Sequence, residues 1–82
     1  MVFYFTLVYA LNPELDAHDE VMSRLIGSDC ADATVGWGRP GHIALAFSRE
    51  AADRNVAVAL AVAQVRQVLP SALLVRTEAG SP

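Results

Sequence analysis

ATVGWGRPGHIALAF, residues 33–47, is the stretch whose reading decides the architecture. ATVGW alternates in character, and in HIALAF the residues Ile43, Leu45 and Phe47 occupy every second position, so each run reads as a strand with one apolar face. Between them GRPG supplies two glycines, which tolerate positive backbone angles, and a proline that fixes a turn. Strands joined through such a turn form a hairpin. What lies on either side must then complete the sheet.

On the N-terminal side, residues 2–11 alternate Phe3, Phe5, Leu7, Tyr9 and Leu11 with Val2, Tyr4, Thr6, Val8 and Ala10, a period of two that predicts a first strand. Asn12 and Pro13 read as a helix start, because an Asn side chain accepts from free amides and proline suits the first turn. Leu15, His18, Met22 and Leu25, with Val21 and Ile26 beside them, repeat at three and four, and Gly27 offers a left-handed exit. Glu14, Asp16, Asp19 and Glu20 come first and Arg24 last, the order the helix dipole favours.

On the C-terminal side, Ser48 is placed to cap a helix from Arg49 or Glu50 to Leu69, with Ala51, Val58, Ala61, Val62, Val65 and Leu69 as its packed stripe. Pro70 ends that helix, and ALLV before Arg76 reads as a fourth strand. Residues 1–77 are expected to form a single domain and 78–82 a tail. With right-handed crossovers, the order β, α, β, β, α, β closes most naturally as a ferredoxin-like α+β sandwich. That fold is a four-stranded antiparallel sheet, order 4-1-3-2, with two helices on one face. Another α+β arrangement of the same elements is the alternative. The expected core is Phe3, Phe5, Leu7, Val35, Ile43, Leu45, Phe47 and Val75 against the helix stripes.

Composition bounds the function. The 82 residues are 54% hydrophobic and 18% charged, too apolar for a disordered chain and charge-poor for a small soluble surface, so a partner is expected to cover some apolar area. No apolar run reaches the roughly 18 residues of a membrane span, and the first run lacks the basic leader of a secretory signal. A lone cysteine, Cys30, excludes an internal disulfide framework, which makes the cytoplasm the expected compartment. The net charge is −3 and the six basic groups are all arginines interspersed with acids, so nucleic-acid binding by this domain alone is not expected.

A sheet with helices on one side leaves its other side to be explained. That side is expected to carry Val2, Tyr4, Thr6, Val8, Ala44 and Ala46, with Thr34, Gly36, His42 and Leu74 alongside: small, apolar and nearly uncharged. Extended apolar patches on a monomer usually have a use. Self-association of two such faces, as a homodimer through Tyr4, Thr6, Val8, Ala44 and Ala46, is the expected one. The plain alternative is tolerable surface, since about half of any protein surface is apolar.

Few residues suggest chemistry. Trp37, Arg39 and His42 crowd the hairpin turn, where an arginine fork and an indole could hold an anionic or planar small-molecule ligand, or where Trp37 and His42 could simply face each other across the strand ends. Cys30 lies between Asp29 and Asp32, whose charges disfavour a thiolate, and reads as a small buried residue. His18, Cys30 and His42 match no compact metal-ligand spacing, and neither a nucleophile elbow nor a phosphate-binding glycine loop occurs. No catalytic residue, metal or cofactor is therefore expected. Asp32 and Arg49 fall at one end of the predicted hairpin and read as a structural ion pair.

DCADATVG, GRPG and IALAFSREAA together resemble a small uncharacterised bacterial family of ferredoxin-like domains, in which a D-A-T-V-G strand precedes a hydrophobic strand ending in an F-x-R-E-A helix start. The resemblance spans roughly residues 3–76. It implies that Asp32, Ala33, Gly36, Arg49, Glu50 and Ala51 are fold determinants. Domains of this kind can precede a helix-turn-helix resembling those of excisionase-like or antitoxin-like proteins. The expected function is a non-enzymatic interaction or regulatory module. The alternatives are a small ligand-binding or enzymatic domain with its pocket at a dimer interface or near Trp37, Arg39 and His42, and an antitoxin-like regulator lacking its DNA-binding segment.

Overall fold

The computed structural model describes residues 1–80. Six elements follow the expected order: β1 (Val2–Ala10), α1 (His18–Ile26), β2 (Thr34–Gly36), β3 (His42–Glu50), α2 (Arg54–Val68) and β4 (Leu73–Ala79). The four strands form one antiparallel sheet in the order β2-β3-β1-β4, the ferredoxin-like arrangement.

Period two explains the layering. β1 and β3 pair along their whole lengths, with Phe5 opposite Phe47, Leu7 opposite Leu45 and Tyr9 opposite Ile43, so the odd-numbered residues of both strands share one side. All six are buried in one cluster with Val21 and Leu25 of α1 and Ala57, Ala61 and Val65 of α2, which places both helices on that side. Phe5 and Phe47 stack with ring centroids 5.5 Å apart. Leu69 and Cys30 complete the cluster, while Phe3 and Val35 are only half-buried at its edge.

Local start and stop signals are where the expectations fail. Asn12 Oδ1 accepts from the backbone N–H groups of Glu14 and Leu15, at 2.9 and 3.1 Å, but this closes an isolated turn, and α1 begins only at His18, behind Ala17, with no side-chain cap. Asp16 turns back, buried, to accept from the Asn12 N–H at 2.8 Å and from Arg24 at 3.3 Å, which fastens the connection to α1. Gly27 has φ −90°, so the left-handed exit expected there is absent; Ser28 instead bonds the Leu25 carbonyl through both N–H and hydroxyl. Among the described residues only Gly41, in the hairpin turn, has positive φ, at 71°.

Ser48 does not cap the second helix. The β1 ladder claims the backbone as far as Val2 opposite Glu50, and the Ala51 N–H donates to the Met1 carbonyl at 3.0 Å. The R-E of the F-x-R-E-A motif therefore ends a strand. α2 starts four residues later, where Asp53 accepts from the Val56 N–H at 2.9 Å. Nor do residues 78 and 79 belong to a tail, because Glu78 pairs with Thr6 and Ala79 with Phe5. The Gly80 N–H continues this edge with a 2.9 Å bond to the Tyr4 carbonyl, whereas residues 81 and 82 lie outside the described residues.

β4 also corrects the core and the opposite face. Arg76 lies opposite Val8 and Leu74 opposite Tyr9, so Val75 is an extra residue at a bulge and is half-exposed instead of buried. Leu74 thereby shares the helix side with Tyr9, not the uncovered side, and Arg76 and Glu78 take the uncovered side. That face is consequently not nearly uncharged at its β4 margin.

Candidate interaction face

The uncovered face is assembled from even-numbered residues. Thr6 lies opposite Ala46, Val8 opposite Ala44 and Ala10 opposite His42, while Thr34 and Gly36 of β2 extend the surface beyond Ala46 and Ala44. Among the described residues no helix crosses this side: every buried helical residue belongs to the cluster on the other. Tyr4, Thr6, Ala44 and Ala46 are half-buried, and their side chains are short apart from Tyr4. Val8 is 6% exposed, because it lies in the middle of the sheet between Ala44 and Arg76.

Two shallow concavities interrupt the face. One, of about 120 Å³, is floored by Val8 and Ala44 and rimmed by Arg39, His42, Arg76 and Glu78. Arg76 Nε donates to Glu78 Oε2 at 2.5 Å, whereas Arg39 makes no side-chain ion pair among the described residues. The Nδ1 of His42 is 3.0 Å from the Pro40 carbonyl oxygen, so the neutral ring donates from Nδ1 and leaves Nε2 as an acceptor. The other concavity, about 310 Å³, lies toward the opposite end between Tyr4, Thr6, Ala46 and Ser48, with Asp32 and Gly80 at its margins.

The hairpin-turn cluster divides between two sides of the sheet. Trp37 does not face His42; its ring stacks on His18 of α1 with centroids 3.9 Å apart and planes 22° from parallel, packed at the edge of the core. Arg39 and His42 remain together on the uncovered face, joined there by Arg76, which sequence reasoning missed because it ended the fourth strand at Val75. An indole, an arginine and an imidazole closing on one ligand is thus not what the chain builds.

Arg49 and Asp32 form a two-pronged ion pair, Nε to Oδ2 at 2.7 Å and Nη2 to Oδ1 at 2.9 Å. The same guanidinium donates to Gln64 Oε1 at 2.7 Å and to the Asp29 carbonyl at 3.1 Å, and lies 4.7 Å above the Phe47 ring. With all three nitrogens engaged, through four of its five N–H groups, it ties the loop before β2 to β3 and α2. Cys30 is buried beside this knot. Burial pushes its thiol pKa up, with Asp32 and Asp29 adding to that and Ser28 and Arg49 opposing it, so the thiolate is disfavoured.

Among the described residues no three His, Cys, Asp or Glu side chains gather as a metal site would require, and no helix is long and apolar enough to cross a membrane. Comparison with protein-family models, curated proteins and solved structures returned no match.

Proposed function

We propose that this domain is a non-enzymatic interaction module that self-associates through the uncovered face of its sheet. The observation that carries the reading is the surface of Tyr4, Thr6, Val8, Ala44 and Ala46, short side chains apart from Tyr4, which spans β1 and β3 with no helix over it among the described residues. Short side chains let two sheets approach to the roughly 10 Å of ordinary sheet packing. Thr6 and Ala46 are the midpoints of two nine-residue strands and are direct partners, so a two-fold axis parallel to the sheet and above this pair brings the face onto its own copy.

With strands about 4.8 Å apart, the 28 residues of all four outline roughly 450 Å² per copy, so the contact totals about 900 Å², just under the roughly 1,000 Å² of a stable specific interface. The dimer is accordingly weak and concentration-dependent. The buried thiol of Cys30, unable to form a disulfide within the chain, suits a reducing cytoplasm.

Sedimentation of the wild type should show reversible dimerisation at tens to hundreds of micromolar, on the order expected for so small an interface. Thr6→Arg and Ala46→Arg should each give a monomer with an unchanged melting curve, since both sites are half-exposed. A wild type that stays monomeric at about 1 mM, or variants that dimerise as it does, overturns the reading.

A second reading rests on the concavity rimmed by Arg39, His42 and Arg76. Arg39, which has no ion-pair partner among the described residues, and Arg76, whose charge is shared with Glu78, border an apolar floor that suits a small anion, held where two copies meet. It predicts that an added carboxylate or phosphate strengthens dimerisation and that Arg39→Gln abolishes the effect.

A further inference from the structure

β4 has β1 on one side and a free edge on the other. Its sequence, LLVRTEA, holds neither lysine nor proline, two residues that commonly keep an edge from pairing, and every one of its residues is exposed. The bulge beside Tyr9 distorts only residues 73–75, so residues 76–79 run in unbroken register against β1. The opposite edge, β2, is three residues long and offers a much shorter template.

The ladder fixes which backbone groups face that free edge. The Ala51 N–H donates to the Met1 carbonyl, so odd-numbered residues of β1 turn their backbone groups to β3 and even-numbered ones to β4. The 2.9 Å bond from the Gly80 N–H to the Tyr4 carbonyl agrees with this. Glu78 opposite Thr6 and Arg76 opposite Val8 are therefore bonded inward, whereas Thr77 and Ala79 present their N–H and carbonyl groups outward.

A second copy laid antiparallel along this edge must set outward-turned residues against outward-turned ones. Near the middle of the regular segment, that leaves two-fold registers centred on Arg76, Thr77 or Glu78. The first places Arg76 against its own copy and the third places Glu78 against its own copy, and both are unfavourable like-charge pairs. Only the Thr77 register sets each Arg76 opposite the Glu78 of the other chain, while the two Thr77 residues exchange both of their outward hydrogen bonds.

We propose that two copies of this chain pair antiparallel along β4 with Thr77 on the two-fold axis, selected by the reciprocal pairs of Arg76 and Glu78, so that two four-stranded sheets become one. This axis is perpendicular to the sheet, so the uncovered faces of both copies stay open, and the edge contact does not depend on the face contact proposed above. It is the smaller of the two and by itself needs about millimolar protein, so Ala46→Arg remains monomeric in the micromolar range.

The test uses the whole chain carrying Ala46→Arg, which removes the face contact, followed by NMR from about 0.1 to about 3 mM. Concentration-dependent amide shifts should be larger at Thr77 and Ala79 than at Arg76 and Glu78, whose N–H groups are already bonded to β1. Arg76→Glu and Glu78→Arg, at side chains 50% and 48% exposed, should each weaken association roughly tenfold by making all the facing charges alike. An equimolar mixture of those two variants should associate about as tightly as their parent, because every facing pair is again of opposite sign. No concentration dependence at Thr77, shifts along β4 that do not alternate, or a mixture no tighter than its components overturns the proposal. Such a failure leaves the face contact standing, since that is read on the wild type at lower concentration.

Discussion

β3 and β4 both run antiparallel to β1, both are apolar in sequence, and they end in opposite circumstances. β3 alternates buried and half-buried residues from His42 to Phe47, whereas every residue of β4 is exposed, Leu73, Leu74 and Val75 included. β3 is flanked by β1 and β2 and contributes Ile43, Leu45 and Phe47 to the cluster beneath both helices. β4 has one neighbour, lies at the margin of that cover and is displaced by a bulge. An apolar run therefore identifies a strand without saying how deep it lies; depth is set by how many elements surround it.

The contrast is easiest to break by truncation. Leu45→Ala, at a fully buried site, should cost about 3 kcal/mol in chemical denaturation, and Leu74→Ala, at a site 42% exposed, about 1 kcal/mol. Equal losses would mean that β4 is covered in solution by another molecule.

Tyr9 sharpens it from the β1 side. Its hydroxyl titrates at 10.0 when unfolded and about 12 when folded, so the native state holds the proton more tightly. The corresponding stability is fully present below pH 10 and is lost as pH rises through 12, a fall of about 2–3 kcal/mol. Tyr9→Phe should remove that component from a stability–pH series, and a series identical to wild type would show that burial does not govern the group.

The smallest effect is expected at the far end of β4. A Cβ at Gly80 would stand 3.0 Å from the Tyr4 carbonyl carbon and 3.1 Å from the Phe5 nitrogen, both backbone atoms that do not yield easily. Gly80→Ala should destabilise by about 1 kcal/mol and speed hydrogen exchange at Glu78 and Ala79, while leaving β3 unaffected. Unchanged exchange would mean that this end of the edge is already open.

Much of the fold was legible because its strongest signals are periodic. Alternation in residues 2–11 and 42–47 marked the strands and separated Phe5, Leu7, Ile43, Leu45 and Phe47 from Tyr4, Thr6, Ala44 and Ala46. Asn12, Gly27 and Ser48 misled because each is a valid local signal overruled by another contact, nearby for the first two and distant for the third: Asn12 caps an isolated turn, Ser28 takes the exit attributed to Gly27, and β1 keeps Arg49 and Glu50 in the sheet. The site was less legible. Trp37 seemed to belong with Arg39 and His42, yet one residue is enough to exchange sides of a strand, and its ring has a partner in His18, nineteen positions earlier.

The amino-acid order by itself determined the six elements and the side of β1 and β3 that is apolar, since both follow from spacings of two and about three and a half within short windows. Only the tertiary structure decided that β4 runs on to Ala79, which sets Arg76 and Glu78 on the uncovered face, that it bulges so that Leu74 joins Tyr9, and that the Tyr9 hydroxyl is buried without a partner. Those outcomes depend on register between strands some seventy residues apart and on which helix covers them, and no local pattern encodes either.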